Sequence, residues 1–455
     1  MICITRFAPS PTGSLHIGGA RTALFNYLWA KHNGGTFLLR FEDTDKARSS
    51  TQYESAISED LRWLGITPDE EPIRQTSRIA RHTEILDRMI KAGSVYPCFC
   101  SENGAHITDG IHRCRYMSDD ERDSRLSSGE IHCWRFKVAS GRIFTYRDKL
   151  RGEISVPTDA IEDFSLARSD GSATYLLAVV ADDHDYHITH VIRGEEHLSN
   201  VPKQEMIYRA MRWNVPEWIH IPMILDRDRH KLSKRSGAIS ISQYRKDGWS
   251  PEAIVSYLSS LSWSEAPTDR IVSMDELARM FDIASVAKFS PVHDEDRMTH
   301  FGKIFMSNVT DKELLDWCRD SFDPASNGLI PDDEKISLIR ELLDSSATQR
   351  ELAFSVRSEL SWNRQVFGAG IPPWFAALND SLAAIANDEW RALKIKEVMK
   401  EFAREKGLKA RDLFHPVRIL LTGSSRGAPI AIILSCVGRE QSLKRFGYYL
   451  KREIS

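Results

Sequence analysis

No stretch of this 455-residue chain is apolar for long enough to cross a bilayer, and 42% hydrophobic residues is an ordinary share for a globular protein. A basic region followed by an apolar run is also missing at the start, where a short strand is expected instead, so no secretory leader is expected. Cysteine is sparse and odd in number: seven residues argue against a disulfide framework and for a reducing, cytoplasmic setting. Internal repeats and low-complexity tracts are absent. So is a large net charge, which stands at −3 and by itself says little for nucleic-acid binding. The distribution says more. Residues 401–455 hold eleven Lys/Arg against five Asp/Glu, a surface suited either to tracking phosphates or to plain solvation. At this length one hydrophobic core is not enough, and three or four domains are expected.

What is present begins at the first residues. Ile2–Phe7 has the apolar, branched character of a buried strand. Pro9, Pro11 and Gly13 then force a loop. From Ile17 onward Ala20, Ala23, Leu24, Tyr27 and Leu28 fall at helical spacing, with Gly34 placed to stop the helix. Thr36–Phe41 reads as a second strand, completing a β-α-β unit with a right-handed crossover. Ligands bind beyond the carboxyl ends of such strands, at the helix N-terminus. Arg6, Ser10, His16, Gly18, Glu42, Asp43 and Asp45 all belong to those ends, so charges of both signs converge there.

Farther along, residues 86–185 break the pattern with a cysteine-rich patch, polar loops and short strands such as 133–138. The first pattern then returns as a strand over 188–192, a helix over 199–211 and a strand over 218–225. A domain inserted into a parallel sheet explains this order. Ser250-Pro251-Glu252 is a helix start, with Ser as N-cap and Pro at the first helical position. Beyond it the periodicity is almost wholly helical, and the Trp and Phe residues over 313–390 recur at core spacing.

Two segments carry a resemblance. Arg6-Phe-Ala-Pro-Ser10-Pro-Thr12-Gly-Ser-Leu-His16-Ile-Gly18-Gly19 and Lys231-Leu-Ser-Lys234-Arg235-Ser-Gly237 resemble, in that order, the two ATP signatures of class I aminoacyl-tRNA synthetases. The surrounding words are similar to bacterial glutamyl-tRNA synthetases, over nearly the whole chain. The resemblance implies an α/β protein: a Rossmann-type parallel-sheet catalytic domain with an inserted α+β acceptor-binding domain, followed by all-α tRNA-stem and anticodon-binding domains. Its divisions are 1–85 and 186–240 for the two catalytic halves, 86–185 for the insertion, 241–310 for the stem-contact domain and 311–455 for the anticodon-binding domain. The segment His293–Lys303 departs from the family, reading Thr299-His-Phe-Gly302 where an aromatic-plus-Asn stretch is usual.

By the same resemblance, His16, Lys231, Lys234 and Arg235 are catalytic, stabilising charge on the ATP phosphates with Mg²⁺. Thr12, His16, Gly18, Gly19 and Lys234 bind ATP, Gly19 standing where the family's second His is common. Arg6, Ala8, Ser10, Glu42, Tyr175 and Arg193 match positions that contact glutamate. Arginine suits carboxylates through its planar fork, and Glu42 suits the ammonium. Asp45 and Arg48 match the segment guiding the tRNA 3′ end, or form a local ion pair capping a helix. Cys98, Cys100 and Cys114 suit one structural Zn²⁺, with Tyr116 or His112 as fourth ligand; free thiols are the alternative. Asp182-Asp183-His184-Asp185-Tyr-His187-Ile-Thr-His190 looks metal-rich but stands where the family carries fold-determining sequence. The implied partners are glutamate, ATP and tRNA-Glu, or tRNA-Gln in a route to later amidation, with no membrane and a monomeric enzyme in the cytoplasm. A nucleotidyltransferase would share the nucleotide fold but have no use for residues 310–455. A silent tRNA-binding paralogue would not need these charged residues intact.

Overall fold

The computed structural model describes residues 2–45, 48–100, 107–108, 111–232, 239–320, 335–362 and 371–452. It divides into two compact units, Met1–Tyr244 with Ile254–Glu295, and Arg245–Ala253 with Asp296–Ser455.

The first unit is organised by parallel strands. β1 (Ile4–Phe7), β2 (Thr36–Phe41) and β3 (Ile73–Arg74) pair in parallel, β1 to β2 and β2 to β3. Between β1 and β2 runs α1 (Ile17–His32), with Ala20, Ala23, Leu24, Phe25 and Leu28 fully buried. Each large apolar side chain so enclosed contributes about 1.5–3 kcal/mol, which holds the helix to the sheet. Asn33 is the C-cap, and Gly34 follows at φ +61°, the left-handed position that glycine takes without strain. Gly35 meets a tighter demand. A Cβ there would lie 1.9 Å from the Cys3 carbonyl oxygen, which accepts the Thr36 N–H at 2.8 Å. The chain thus enters β2 only because that residue has no side chain.

α2 (Thr51–Trp63) and α3 (Ile79–Lys91) stand on either side of β3 in the chain, and the insertion then supplies β4 (Val95–Cys98), β5 (Ile107–Thr108), β6 (Ile111–His112) and α4 (Asp119–Ser127). β7 (Cys133–Phe136) lies between β4 and β10 (Ser165–Ala167) in an antiparallel sheet. β8 (Ile143–Asp148) and β9 (Gly152–Pro157) form an antiparallel hairpin. α5 (Tyr175–Asp185) leads back to β11 (His190–Gly194), α6 (Val201–Ala210) and β12 (Glu217–Ile221), with β11 and β12 parallel. The Thr189 N–H donates to the Ile4 carbonyl at 3.0 Å, setting β11 beside β1. The strand order is therefore β3-β2-β1-β11-β12, reversing direction of growth at β1 and β11, where ligands bind in such sheets. The hairpin also departs from the picture of a self-contained insertion: Asp148 of β8 pairs with Trp218 of β12, extending the parallel sheet.

Among the described residues the second unit is built of helices, from Glu295–Ser307 to Arg439–Arg452. Leu338, Leu352, Phe375, Ile395, Leu413, Leu434 and Phe446 form its core, and Trp390 joins them. Of the described Trp and Phe residues over 313–390, most lie in or pack against this core, while Phe354 is exposed. The helix Pro251–Ser260 starts as expected, the Ser250 hydroxyl accepting the Ala253 N–H at 3.1 Å. Among the described residues no helix is long and apolar enough to cross a membrane.

Candidate active site

A cleft of about 400 Å³ opens beyond the carboxyl ends of β1, β2 and β11. It is lined by Arg6, Ala8, Ser10, Thr12, His16, Gly18, Gly19, Glu42, Tyr175, Arg193 and Lys231, residues that sequence reasoning assigned separately to ATP and to glutamate. His16 is the N-cap of α1, its Nδ1 accepting the Gly19 N–H at 3.2 Å. A neutral ring that accepts at Nδ1 carries its proton on Nε2, a donor suited to a phosphate oxygen. The first N–H groups of α1 have no intrahelical acceptor and add the positive end of the helix dipole. At Gly18 a Cβ would lie 3.1 Å from the His16 ring, so the glycine leaves that ring its place.

Lys234 and Arg235 lie outside the described residues. The chain on either side of them is held at the cleft. Lys231 bridges to Leu225 and its Nζ reaches Glu196 Oε1 at 3.3 Å. Ser240 pairs with His16, and the Ile241 N–H donates to the Leu15 carbonyl at 2.9 Å.

Around Arg6, Glu42 and Arg193 the cleft wall is a cluster of buried charge. Asp183 Oδ1 accepts from Arg6 Nε at 3.1 Å and from Arg40 Nη1 at 2.5 Å, while Oδ2 accepts from Arg6 Nη2 at 3.4 Å. Arg40 Nη2 also reaches Glu42 Oε1 at 3.5 Å. Burial pushes the Glu42 carboxyl up to about 7, although Arg40 and Arg6 pull the other way. Burial likewise pushes the Tyr175 hydroxyl up. Arg193 is fixed at two edges, Nε donating to His220 Nε2 at 3.0 Å and Nη2 to Gln204 Oε1 at 2.7 Å. Its Nη1 is buried without a hydrogen-bond partner among the described residues. A buried guanidinium nitrogen left unsatisfied is costly, and a ligand carboxylate would relieve it.

Asp183 therefore engages one edge of the Arg6 fork. It occupies two of the three guanidinium nitrogens, Nε and Nη2, while Arg6 also lines the cleft. Asp45 and Arg48 form the local ion pair, Arg48 Nε to Asp45 Oδ2 at 2.7 Å, both partners substantially exposed. They cap no helix, since the Ser50 hydroxyl does that for α2.

The cysteine cluster lies apart, in the insertion. Cys98 Sγ is 3.4 Å from His112 Nδ1, and Cys100 Sγ is 3.6 Å from Cys114 Sγ. Ligand atoms of Cys98, Cys100 and His112 all lie within 4.8 Å of one another. Tetrahedral zinc, with Zn–S near 2.3 Å and Zn–N near 2.0–2.1 Å, spaces its ligands by roughly 3.6–3.8 Å. Thiols and imidazole are donors that ion takes; Cys98, Cys100 and His112 are gathered as one group, and Cys114 touches it through Cys100. Tyr116 does not take part: its side chain is 71% exposed, whereas His112 is buried on β6 facing the thiols. Sequence spacing favoured neither; the hairpin of β5 and β6 brings His112 back over Cys98. Cys133, opposite Cys98 in the sheet, hydrogen-bonds to it and lowers its thiol pKa.

Residues 3–300 match the family described as "tRNA synthetases class I (E and Q), catalytic domain", and residues 334–450 match "Anticodon binding domain". A glutamate–tRNA ligase of Hydrogenobaculum sp. is 36% identical, covering 98% of this chain and 99% of its own length. Glutamate–tRNA ligase 1 of Granulibacter bethesdensis is 37% identical over 97% of this chain and 95% of its own. The chain belongs to the glutamate–tRNA ligase family of class I tRNA synthetases. A crystal structure of a glutamate tRNA ligase from Elizabethkingia meningosepticum in complex with its amino acid superposes with a TM-score of 0.88 at 28% identity, covering 99% of each chain.

Set within this ligase family, the acidic run 182–185 acquires a physical reason. Three carboxylates at the C-terminal end of α5 oppose the helix dipole. Arginines offset them: Asp182 receives Arg78 Nε at 2.7 Å and His82 Nε2 at 2.8 Å, and Asp185 receives Arg81 at 2.9 Å. His187 takes φ 55° where α5 ends, and His190 hydrogen-bonds to Thr189 Oγ1. The three carboxylates of the run are all engaged in ion pairs, where the sequence reading expected fold-determining residues. What that reading missed is that one member, Asp183, grips the ligase cleft itself.

Proposed function

We propose that this member of the family ligates L-glutamate to the 3′ end of tRNA-Glu in two steps. An oxygen of the glutamate α-carboxylate attacks the ATP α-phosphorus, the bond to the β-phosphate's bridging oxygen breaks, and pyrophosphate leaves. A hydroxyl of the terminal adenosine then attacks the glutamyl carbonyl and AMP departs. No side chain serves as nucleophile; orientation and charge stabilisation do the catalysis. His16 Nε2 and the α1 N-terminus hold the triphosphate, with Thr12, Gly18 and Gly19 shaping the nucleotide's bed. Lys231, Lys234 and Arg235 neutralise the leaving pyrophosphate. Mg²⁺ accompanies ATP and screens its phosphates.

Glutamate binds by charge. Ala8 and Ser10 line the pocket, Glu42 takes the ammonium, and Arg6, Tyr175 and Arg193 take carboxylates. The observation that carries this reading is Nη1 of Arg193, buried in the cleft wall without a hydrogen-bond partner among the described residues. Arg6, Arg40 and Arg193 set three positive charges against Asp183 and ionised Glu42, leaving this five-residue cluster one positive charge in excess. Glutamate, with net charge −1, completes that balance; glutamine does not, and is rejected.

Cys98, Cys100, Cys114 and His112 hold one structural Zn²⁺, which cross-links the insertion and takes no part in the reaction. Asp45 and Arg48 exchange their mutual ion pair for contacts to the tRNA 3′ end. The enzyme acts as a cytoplasmic monomer. The test is ATP–pyrophosphate exchange and aminoacylation with tRNA-Glu and tRNA-Gln side by side. Charging of tRNA-Glu alone supports the reading, charging of tRNA-Gln redirects it to the amidation route, and Lys234→Ala retaining full exchange refutes the assignment of that loop.

A further inference from the structure

Behind Arg193, away from the ligand, lies a chain of buried polar groups that the two-step reaction does not by itself require. Asp148, at the end of β8, is fully buried and receives four donors. The Leu150 and Arg151 N–H groups donate to Oδ1 at 3.0 and 2.9 Å, and the His220 N–H and Nδ1 approach Oδ2 at 3.1 and 2.7 Å. A carboxylate surrounded by donors acts as acceptor only, so His220 must carry its proton on Nδ1. Its Nε2 is then bare, and Arg193 Nε donates to it at 3.0 Å. Burial lowers the His220 pKa further, which keeps the ring neutral beside the arginine.

The consequence is geometric. His220 at Nε and Gln204 at Nη2 fix the plane of the Arg193 guanidinium from two edges and leave Nη1 as its one nitrogen without a partner among the described residues. With the opposite tautomer two N–H groups would face each other and the arginine would turn away.

We propose that Asp148 and His220 are positioning residues for amino-acid recognition: Asp148 fixes the tautomer of His220, and His220 holds the Arg193 fork in the orientation that receives glutamate. The inference rests on the reading of Arg193 as a carboxylate ligand. It also means that the inserted hairpin β8–β9 reaches the amino-acid pocket through one side chain.

The experiment measures KM for glutamate and for ATP, with melting temperature, in the full-length enzyme with tRNA. His220→Leu and Asp148→Asn are expected to raise KM for glutamate roughly tenfold or more, the effect of one charge-assisted hydrogen bond, with KM for ATP within about twofold. His220→Gln, whose amide oxygen accepts from Arg193, restores most of the loss. If Asp148→Asn does not fold, the comparison of Leu with Gln at 220 carries the test. Unchanged KM for glutamate in His220→Leu, while Arg193→Gln raises it, overturns the positioning role alone. Unchanged KM in Arg193→Gln overturns the carboxylate reading and this inference with it. Equal rises in both KM values with a lower melting temperature would mean general damage and also overturn the proposal.

Discussion

Asp183→Asn is the most demanding test of the buried charge cluster. The substitution keeps the side chain's volume and removes its charge. Asp183 is 2% exposed and shared between Arg6 and Arg40, which are 4% and 1% exposed. An amide offers one acceptor oxygen where the carboxylate offers two, so at least one arginine faces an N–H₂ group. Breaking a buried ion pair by removing one partner costs about 3–5 kcal/mol. At roughly 2 °C per kcal/mol for a unit of this size, the transition of the catalytic unit should fall by about 6–10 °C. Arg6 loses its anchor, and a shift of about 1 Å is enough to weaken catalysis by up to roughly a hundredfold. Scanning fluorimetry and KM for glutamate in pyrophosphate exchange read the two effects. The pH dependence has a definite sign. Burial raises the Asp183 pKa, but Arg40 and Arg6 more than reverse this, leaving it below the usual carboxylate value. Its stabilisation is therefore present above the unfolded pKa and is lost only as pH falls through the lower folded one, so the deficit should be constant between about pH 5 and 8. A variant with the parent's melting temperature and KM would refute the role given to this residue.

Glu42 carries the opposite shift. Its folded pKa, near 7, lies above the unfolded value, so it favours the folded state most at low pH and this contribution fades as pH rises through 7. Ammonium binding needs the ionised form, so kcat/KM for glutamate should rise through pH 7, and Glu42→Gln should remove that step along with most activity. In the cysteine cluster, Cys100→Ser and His112→Ala should abolish zinc content measured by plasma emission, whereas Tyr116→Phe should retain about one ion per chain; zinc lost with Tyr116 would reverse the assignment of the fourth ligand. Gly35→Ala should yield little folded protein, because its Cβ meets a backbone carbonyl that cannot yield without opening the β1–β2 ladder; an alanine variant as soluble and stable as the parent would contradict the packing.

Most local structure was readable before any coordinates. The predicted strand over 36–41 matches β2, and the predicted helix starts at Ile17 and at Pro251 are where the helices begin. These depend on apolar spacing and on capping chemistry within a few residues. Strand ends were less legible: β11 begins at His190 rather than 188, because Ile188 still belongs to the turn leaving α5. The cleft residues were legible as words, since phosphate binding at a helix start imposes a local pattern of glycine and histidine. Their electrostatic support was not. Asp183 stands 177 residues from Arg6, and Asp148 stands 72 residues from His220. No spacing rule reaches that far.

By itself, then, the sequence determined the β-α-β frame, the helical second half, and which side chains carry charge of a kind that ATP and glutamate require. Only the tertiary structure decided which of those charges are already satisfied. It paired Arg6 with Asp183, left Nη1 of Arg193 without a partner among the described residues, turned Tyr116 to solvent and brought His112 to the thiols. The reason is that the cost of a buried charge depends on every group within a few ångströms, and those neighbours arrive from distant strands through sheet order and register.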